Sequence, residues 1–211
     1  MSDAFLGLRS EYASRILAPE LLDADPYRQL SIWLEEALDA SIVEPHAMAL
    51  ATADAEGQPS VRMVLLRGIA DDGLRFYTNY ASRKGQDLAA NPRASICLWW
   101  GLLERQVRVE GTVHRLDPAE SDAYFALRPL ASRAASVASP QSREIGSFDD
   151  LVESMERLIE GGDVPRPPHW GGYRLVPHSF EFWQGRPARL HDRFLYRPTE
   201  EGGWEVVRLA P

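Results

Sequence analysis

Two arginines and a histidine recur at alternate positions near the end of the chain. Arg189, His191 and Arg193 occupy every second place in the segment Ala-Arg-Leu-His-Asp-Arg. If this segment is a strand, the three side chains project from one face, because residues two apart share a face. Two guanidinium groups beside an imidazole suit a planar, anionic ligand that exchanges protons. The alternative is a solvated edge strand whose Arg and Asp side chains pair locally, and the pattern alone favours it by a small margin.

A second candidate for anion binding is the tripeptide Ser82-Arg83-Lys84. Serine is a typical N-cap residue, and a helix start offers free backbone N–H groups and the positive end of the helix dipole. Together with two cationic side chains, these features suit a phosphate group. A capped surface helix with solvated basic residues explains the same tripeptide, and that alternative is the commoner one.

Arg62 and Arg67 stand at the two ends of the apolar run Met63-Val64-Leu65-Leu66. They are an odd number of positions apart, so in a regular strand they face opposite sides. One strand could therefore serve two anions, one on each face. Alternatively, they are two arginines at the ends of a buried strand.

Tyr124, Arg128 and Ser132 follow one another at intervals of four residues, which places them on one face of a helix. Two hydroxyl groups and a guanidinium form a neutral-plus-cationic grip that suits phosphate. Taken alone, this spacing occurs by chance in most helical proteins.

Composition and charge exclude several classes of protein. The 211 residues are 45% hydrophobic and 26% charged, as in soluble globular proteins. The longest apolar stretch, 96–103, is far shorter than the roughly 18 residues of a membrane span. The net charge of -8 opposes binding to nucleic acid and to anionic membranes. The N-terminus lacks a secretory signal and Cys97 is the single cysteine, so we expect a cytoplasmic location.

The common catalytic motifs are absent from the sequence. It contains no Gly-x-Gly-x-x-Gly, no Walker loop and no Gly-x-Ser-x-Gly. The five histidines never fall at metal-ligand spacing, so no metal site is predicted. Rossmann, P-loop and serine-hydrolase interpretations are therefore excluded.

The elements that hold these side chains alternate between helices and short strands. Helices are predicted over 26–41, from Ser82 to Asn91-Pro92, from Asp117 to about Arg128, and over 147–159. Strands are predicted over 47–54, 60–69, 74–78, 93–100 and 104–115, and near 171–176, 179–184, 192–197 and 204–209. The first three strands form a β-meander. This pattern predicts a mainly β protein with helical decoration, a closed or split antiparallel barrel. Residues 1–24 are predicted to be a partly ordered arm, and 25–211 a single domain.

The segment 179–193, Ser-Phe-Glu-Phe-Trp-Gln-Gly-Arg-Pro-Ala-Arg-Leu-His-Asp-Arg, resembles the C-terminal signature of the pyridoxine (pyridoxamine) 5′-phosphate oxidase family. The resemblance covers, in order, nearly everything from residue 26 onward. It includes Arg62-Met-Val-Leu-Leu-Arg67, Phe76-Tyr-Thr-Asn79, Ser82-Arg-Lys84, Leu103-Glu-Arg-Gln-Val107, 124–132, Gln141-Ser142 and Arg208-Leu-Ala-Pro211. It implies an FMN-binding split β-barrel that works as a homodimer, with FMN at each subunit interface.

Carried over by position, the resemblance implies a set of cofactor-binding residues. The FMN phosphate and ribityl chain would be held by Arg62, Ser82, Arg83 and Lys84, and Gln106 would bond the isoalloxazine ring. Strand residues Met63, Val64, Leu65, Leu66 and Arg67, with Tyr77 and Thr78, would lie along the cofactor. Gln141, Ser142, Trp183 and Arg193 would reach the same flavin from the partner subunit.

The resemblance also implies a substrate site and a reaction. The substrate phosphate would lie among Arg67, Tyr124, Arg128 and Ser132. Arg189 and His191, the implied catalytic residues, would pack on the pyridine ring, with Leu190 also in the substrate site. Arg9 and Tyr12 are arm residues that match the family's substrate-covering arm in part. The implied reaction oxidises the C4′ amine or alcohol of pyridoxamine or pyridoxine 5′-phosphate. Hydride passes to flavin N5, and O2 reoxidises the flavin to give hydrogen peroxide and pyridoxal 5′-phosphate.

Two alternatives stay open at this point. The first is a flavin oxidase of the same fold that acts on another substrate, as in phenazine biosynthesis. The joint presence of Tyr124, Arg128 and Ser132 favours a phosphorylated substrate instead. The second is a non-catalytic split-barrel protein that carries FMN or pyridoxal phosphate. Arg189 and His191 oppose that interpretation, because a protein that only carries its ligand needs no second group of side chains to contact the ligand's reactive face.

Overall fold

Five α-helices, three short 3-10 helices and nine strands form the secondary structure of the described residues, Tyr12 and 16–211, in the computed structural model. The helices are α1 (Pro26–Asp39), α2 (Arg83–Ala90), α3 (Pro118–Ala126), α4 (Leu130–Ala138) and α5 (Phe148–Glu160). The strands are β1 (Ala47–Ala53), β2 (Pro59–Leu65), β3 (Gly68–Ala70), β4 (Gly73–Asn79), β5 (Arg93–Trp100), β6 (Arg105–Arg115), β7 (Trp170–Gln184), β8 (Asp192–Pro198) and β9 (Trp204–Arg208). Within the described ranges, no helix is long and apolar enough to cross a membrane.

The strands follow the order β2-β1-β5-β6-β7-β4-β3, with β8 paired to β7 and β9 to β8. The pairs β3–β4, β4–β7, β7–β8 and β8–β9 are antiparallel. The predicted class, an antiparallel β architecture with helical decoration, is confirmed. The predicted meander is wrong after its first hairpin, because β2 ends at Leu65 and β3 stands at the opposite end of the strand order.

The chain divides into two compact units. Among the described residues, unit 1 contains Tyr12, 16–48, Cys97–Val109 and His178–Pro211. Unit 2 contains Ala49–Ile96 and Glu110–Pro177. The single domain over 25–211 and the arm over 1–24 stay predictions.

Helix α1 supplies much of the buried surface of unit 1. Asp25 caps it by accepting a hydrogen bond from Tyr27 N, and Pro26 occupies the first turn, where its missing N–H costs nothing. Leu30 and Trp33 are buried on its inner face. The ring of Trp33 lies edge-on to Phe182, with 5.1 Å between the ring centroids. The predicted helix is confirmed and ends at Asp39.

Strands β7 and β8 supply further buried side chains to the core of unit 1. Their register places Phe182 opposite Phe194 and Phe180 opposite Tyr196, and all four side chains are fully buried. Burial of four aromatic rings contributes several kcal/mol of hydrophobic stabilisation, at roughly 25 cal/mol per Å² of apolar surface. This core fixes the chain on both sides of residues 185–191.

Strand β4 and the first half of β7 form the corresponding core of unit 2. Their register pairs Leu74 with Leu175 and Phe76 with Tyr173. The last two rings stack, with centroids 5.4 Å apart. The two strands predicted near 171–176 and 179–184 are one strand, β7. Pro177 does not end it, because it lies between the residues paired with β4 and those paired with β8.

Helix α4 is an element that the sequence patterns do not predict. Helix α3 begins as predicted after Asp117, but ends at Ala126, and Pro129 separates it from Leu130. A proline fixes its own φ and pushes the preceding residue out of the helical region, so the chain changes direction here. The fourth predicted helix is confirmed as α5, with the Ser147 side chain accepting from Asp150 N.

Candidate functional site

A cavity of about 870 Å³ lies within unit 2. Its size is within the range of roughly 300–1,000 Å³ that is typical of small-molecule sites. The predicted site residues that line it are Arg62, Met63, Val64, Leu65, Arg67, Tyr77, Thr78, Arg83, Lys84, Tyr124, Arg128, Ser132, Gln141 and Ser142. Segments far apart in the sequence therefore meet at one cavity.

Arg62 is fixed on β2 by several oxygen acceptors. Its NH1 donates to Thr52 Oγ1 at 2.6 Å and to the Leu50 carbonyl at 3.3 Å, and its NH2 donates to Ser60 Oγ at 2.7 Å. The buried carboxylate of Asp87 lies 3.7 Å from NH2 and accepts from the Thr52 hydroxyl at 2.6 Å. Burial lowers the pKa of Arg62, and Asp87 opposes this effect. The guanidinium is thus held in one orientation.

The start of α2 adds further cationic and polar groups to this wall. Ser82 is fully buried behind the cavity surface, and its Oγ accepts from Lys84 Nζ at 3.2 Å. Lys84 Nζ also donates to Gln141 Oε1 at 3.1 Å. Burial, together with the positive charge of Arg62, lowers the pKa of Lys84 to about 8. A bound anion would relieve this unfavourable charge.

Gly85 allows α2 to begin this close to the preceding turn. A Cβ at this position would overlap the carbonyl of Tyr80. Only glycine fits such a close backbone approach without displacing the chain. The position of Lys84 therefore depends on the residue that follows it.

The resemblance implies that Gln141 and Ser142 reach the flavin from the partner subunit. Their placement in this chain disagrees with that expectation. Both residues line the cavity of their own unit, and Gln141 accepts from Lys84 and from Thr78 Oγ1, the latter at 3.4 Å. The physical reason is that the segment after α4 returns to the cavity wall.

Arg62 and Arg67 line the same cavity, although their odd spacing predicts opposite faces. Strand β2 ends at Leu65, so strand alternation does not extend to Arg67. Leu66 does not line the cavity and is buried, with 5% of its surface exposed. The prediction that one strand serves two anions on two faces is wrong in its geometry.

Aromatic rings form the wall around Arg128. Tyr77 and Tyr124 stack with centroids 3.7 Å apart, and Trp170 is stacked 6.2 Å from Tyr124. The Arg128 guanidinium lies over Trp170, with Cζ 4.7 Å from the ring centroid. Cations over indole rings are stabilised by the ring quadrupole. Burial lowers the pKa of Arg128, and the charge of Arg67 lowers it further.

Tyr124, Arg128 and Ser132 meet at the cavity, as predicted, but not on one helix. Tyr124 belongs to α3, Arg128 lies between the helices, and Ser132 belongs to α4. The break at Pro129 brings the first turn of α4 beside the end of α3. Predicting all three on one helical face is wrong for this reason.

Several pocket residues have no counterpart in the predicted set. Ser136 and Trp170 line the cavity beside Arg128, and Ser60 lines it beside Arg62. The spacing of Ser132 and Ser136 would have indicated one face of a helix, if α4 had been predicted. Trp170 and Ser60 lie in segments whose sequences carry no comparable signal.

A second group of predicted residues lies in unit 1. The ring of Trp183 is 4.6 Å from that of His191, and Tyr12 lies edge-on to both, at 5.8 and 5.5 Å. His191 Nδ1 accepts a hydrogen bond from Arg186 N at 3.1 Å. Arg193 donates through Nε to the buried carboxylate of Glu181 at 2.8 Å.

The single strand face predicted for Arg189, His191 and Arg193 is wrong. A 3-10 turn covers Pro187–Arg189, and β8 begins only at Asp192. Arg189 has φ 61° and Ala188 φ 54°, in the left-handed region, so strand alternation cannot apply. Arg189 and Leu190 are exposed.

The remaining predicted residues are outside the cavity. Gln106 lies half-buried on β6 in unit 1. Arg9 lies outside the described residues. Within the part of the chain that the structure describes, no group of three His, Cys, Asp or Glu side chains could hold a metal ion.

The strand order and this cavity define a split-barrel protein with a pocket lined by cationic side chains. Two family models match the chain. The model described as pyridoxamine 5′-phosphate oxidase matches residues 34–158, and the model of the pyridoxine 5′-phosphate oxidase C-terminal dimerisation region matches residues 170–211. The chain belongs to the pyridoxamine 5′-phosphate oxidase family.

Curated relatives agree with the family models over nearly the whole chain. The pyridoxine/pyridoxamine 5′-phosphate oxidase of Cupriavidus metallidurans is 54% identical over 207 residues, with 97% of each chain covered. The protein of the same name from Bordetella pertussis is 53% identical, with 97% of this chain and 98% of the relative covered.

Two solved structures resemble the fold. PhzG from Burkholderia lata, in complex with tetrahydrophenazine-1-carboxylic acid, has a TM-score of 0.89 at 35% identity, with 94% of this chain and 99% of that chain covered. A pyridoxamine 5′-phosphate oxidase-related, FMN binding protein from Nostoc punctiforme has a TM-score of 0.71 at 21% identity, with 89% and 98% covered. The second likeness concerns the fold alone.

Proposed function

We propose that this protein is an FMN-dependent oxidase that converts pyridoxamine 5′-phosphate and pyridoxine 5′-phosphate to pyridoxal 5′-phosphate, with O2 reduced to hydrogen peroxide. The observation that carries the proposal is one cavity lined by two groups of cations, Arg62 with Arg83 and Lys84, and Arg67 with Arg128. Two phosphate-bearing molecules must meet in such a reaction. Relatives more than half identical to this chain carry the name of this activity.

The chemistry of the donor set fits the phosphate end of FMN. Arg62, Arg83 and Lys84 are cations that line the cavity, and Thr78 and Gln141 add polar groups. Lys84 is buried and its pKa is lowered to about 8, so an anion beside it is favourable. The apolar side chains of β2, with Tyr77 and Thr78, would follow the rest of the cofactor, as the family resemblance implies.

FMN supplies hydride acceptance and reoxidation by O2 when it is bound. The contribution of the protein is to bind and orient the substrate against it. Arg67, Arg128, Tyr124 and Ser132 would hold the substrate phosphate, which fixes the position of the C4′ atom. Charge-assisted hydrogen bonds from two guanidinium groups favour the phosphate dianion over an uncharged hydroxyl.

Arg189 and His191 would contact the pyridine ring of the substrate, with Leu190 between them. Because His191 Nδ1 accepts from Arg186 N, the neutral imidazole carries its proton on Nε2. Nε2–H is then the group that His191 presents as a hydrogen-bond donor. Arg189 would orient the ring and stabilise negative charge in the transition state. Tyr12 packs against His191, and Arg9 belongs to the same arm in the proposal.

The proposed assembly is a homodimer. Residues 170–211 match the dimerisation region of the family, and they include Trp183, Arg189, His191 and Arg193. In the proposal, these residues and Gln106 act on a flavin bound at the subunit interface. The proposal also keeps the cytoplasmic location that the single free thiol of Cys97 favours.

A related flavin oxidase with a different substrate is the second candidate, favoured by the likeness to PhzG. The gathering of Tyr124, Arg128 and Ser132 at the cavity opposes it, because that grip serves a phosphate group.

The test is pyridoxal 5′-phosphate formation from pyridoxamine 5′-phosphate in air, by purified protein supplied with FMN. We expect aldehyde and hydrogen peroxide in equal amounts. A protein that binds FMN but forms no aldehyde would contradict the proposed substrate and favour the second candidate.

A further inference from the structure

Ser136 forms a hydrogen-bonded link between α4 and Arg128. Its Oγ accepts from Arg128 NH1 at 2.6 Å and donates to the carbonyl oxygen of Ser132 at 2.9 Å. The hydroxyl has one proton, and that proton is committed to the carbonyl. The oxygen lone pairs are therefore directed to the guanidinium. Ser136 acts toward Arg128 as an acceptor without charge.

The anchoring of Ser136 gives this link a fixed position. Its own carbonyl oxygen lies 3.2 Å from His169 Nε2, which donates because a carbonyl can only accept. Trp170, the next residue, is buried and packs over Arg128. The guanidinium thus lies between an indole face and a hydroxyl.

The two groups of cations in the cavity differ in their counter-charges. Arg62 lies 3.7 Å from the buried carboxylate of Asp87. Arg128, by contrast, forms no ion pair with a carboxylate in the described part of the chain, and its contacts are Ser136, Trp170 and Phe125. Aromatic rings and a hydroxyl orient a guanidinium without cancelling its charge.

We propose that Ser136 is a positioning residue of the substrate-phosphate site, which aims the Arg128 guanidinium at the phosphate and leaves its full charge for that group. The inference rests on the proposed function. Burial and the nearby Arg67 lower the pKa of Arg128, an effect that Tyr124 opposes. Because no carboxylate among the described residues pairs with Arg128, a substrate dianion would gain the full attraction of its charge.

The test compares three variants at Ser136 by steady-state kinetics with pyridoxamine 5′-phosphate. Ser136→Ala should raise KM about tenfold, because a hydrogen bond to a charged group is lost, and leave kcat and the Kd of FMN unchanged. Ser136→Thr keeps the hydroxyl and should restore KM. Ser136→Asp should raise KM above the Ser136→Ala value, since its carboxylate competes with the substrate phosphate.

Ser31→Ala is the matched control. Ser31 lies on α1 and makes the same type of bond, from its hydroxyl to the carbonyl of the residue four positions earlier, at 2.9 Å. It should leave KM unchanged, which separates the loss of a helical serine bond from the loss of the Arg128 contact.

The affinity for pyridoxal 5′-phosphate, measured on the FMN-loaded protein by fluorescence, gives a second readout that needs no turnover. Ser136→Ala should weaken this binding by the same factor as KM. Absence of oxidation in the unsubstituted protein would overturn the proposed function but leave this comparison intact. Equal KM and equal affinity in the Ser136→Ala and unsubstituted proteins would overturn the inference, as would a higher Kd for FMN alone.

Discussion

Lys84 is the residue whose charge state changes closest to neutral pH in the cavity. Burial and Arg62 lower its pKa to about 8, and a bound phosphate would raise that pKa again. FMN binding must then take up a proton above pH 8. By linkage, the affinity for FMN has its full value below the lowered pKa of Lys84, and it falls as the pH rises above that pKa.

We therefore expect the Kd of FMN to rise on the order of tenfold per pH unit above pH 8, as measured by flavin fluorescence quenching. Lys84→Arg is the control, because arginine stays charged throughout this range. It should bind FMN with little pH dependence. The same rise in both proteins would place the titrating group elsewhere.

Asp87 offers a second prediction at this scale. Its buried carboxylate is the negative charge beside Arg62, which keeps its bonds to Thr52, Ser60 and Leu50 if the charge is removed. Asp87→Asn should therefore destabilise the FMN-free protein by roughly 1–3 kcal/mol, below the roughly 3–5 kcal/mol typical of fully buried pairs. Bound FMN would supply the missing negative charge.

The fall in Tm of Asp87→Asn should accordingly be larger without FMN than with it, in thermal denaturation followed by circular dichroism. Thr52→Val, which removes a hydroxyl but no charge, should lower both Tm values equally. Weaker FMN binding by Asp87→Asn would contradict the proposed role of the carboxylate as a counter-charge.

The residues of this cavity differ in how far the sequence predicts them. Arg62, Arg67 and Lys84 stand in short motifs with a chemical pattern of their own, and all three line the cavity. Asp87 and Ser136 follow from no motif, because their roles depend on contacts between distant segments: Asp87 with Thr52, and Ser136 with Arg128.

At the scale of elements, prolines and left-handed residues explain where prediction from periodicity fails. The helix predicted to end near Arg128 ends at Ala126, and a helix that the pattern does not predict, α4, begins directly after Pro129. The positive φ values of Ala188 and Arg189 replace an expected strand with a tight turn. A hydrophobic pattern gives the type of a regular element, but not the tertiary contacts that make such a turn stable.

Asp192 is the group that holds this turn. Its carboxylate, buried at 2% exposure, accepts from Leu17 N at 3.1 Å and from Arg186 NH1 at 3.2 Å, and pairs with Arg208. These bonds fix residues on both sides of Arg189. Because a shift of about 1 Å in a positioning group can cost on the order of a hundredfold in rate, the orientation of Arg189 should depend on Asp192.

Asp192→Asn should lower kcat about tenfold and leave the Kd of FMN unchanged, in steady-state assays and flavin titrations. Glu205→Gln, an equivalent change at an exposed position on β9, should alter neither. A normal kcat in Asp192→Asn would show that the turn keeps its shape without this carboxylate.

At the scale of the whole molecule, the predicted site residues are divided between the two units. The cavity residues belong to unit 2, whereas Trp183, Arg189, His191 and Arg193 belong to unit 1 and to the dimerisation region. The antiparallel barrel class follows from the strand pattern, but the proposed division of the site between two chains does not, since alternation and spacing describe one chain only.

Mixed dimers test whether one chain completes the site of its partner. Arg128→Glu would repel the substrate phosphate, and Arg189→Ala would remove the guanidinium over the ring, so each variant alone should be inactive. If Arg189 acts on the cavity of the partner, a mixed dimer has one site without substitutions and one with both. Equal mixing makes about half of the dimers mixed, so roughly one quarter of the original activity should return.

The measurement is pyridoxal 5′-phosphate formation after the two variants are unfolded together and refolded, with each variant refolded alone as the control. If Arg189 served the cavity of its own chain, every site in a mixed dimer would carry one substitution, and no activity would return. Recovery near one quarter therefore requires a site built from two chains, and it would explain why the residues proposed to contact the pyridine ring lie in the dimerisation region rather than at the cavity wall.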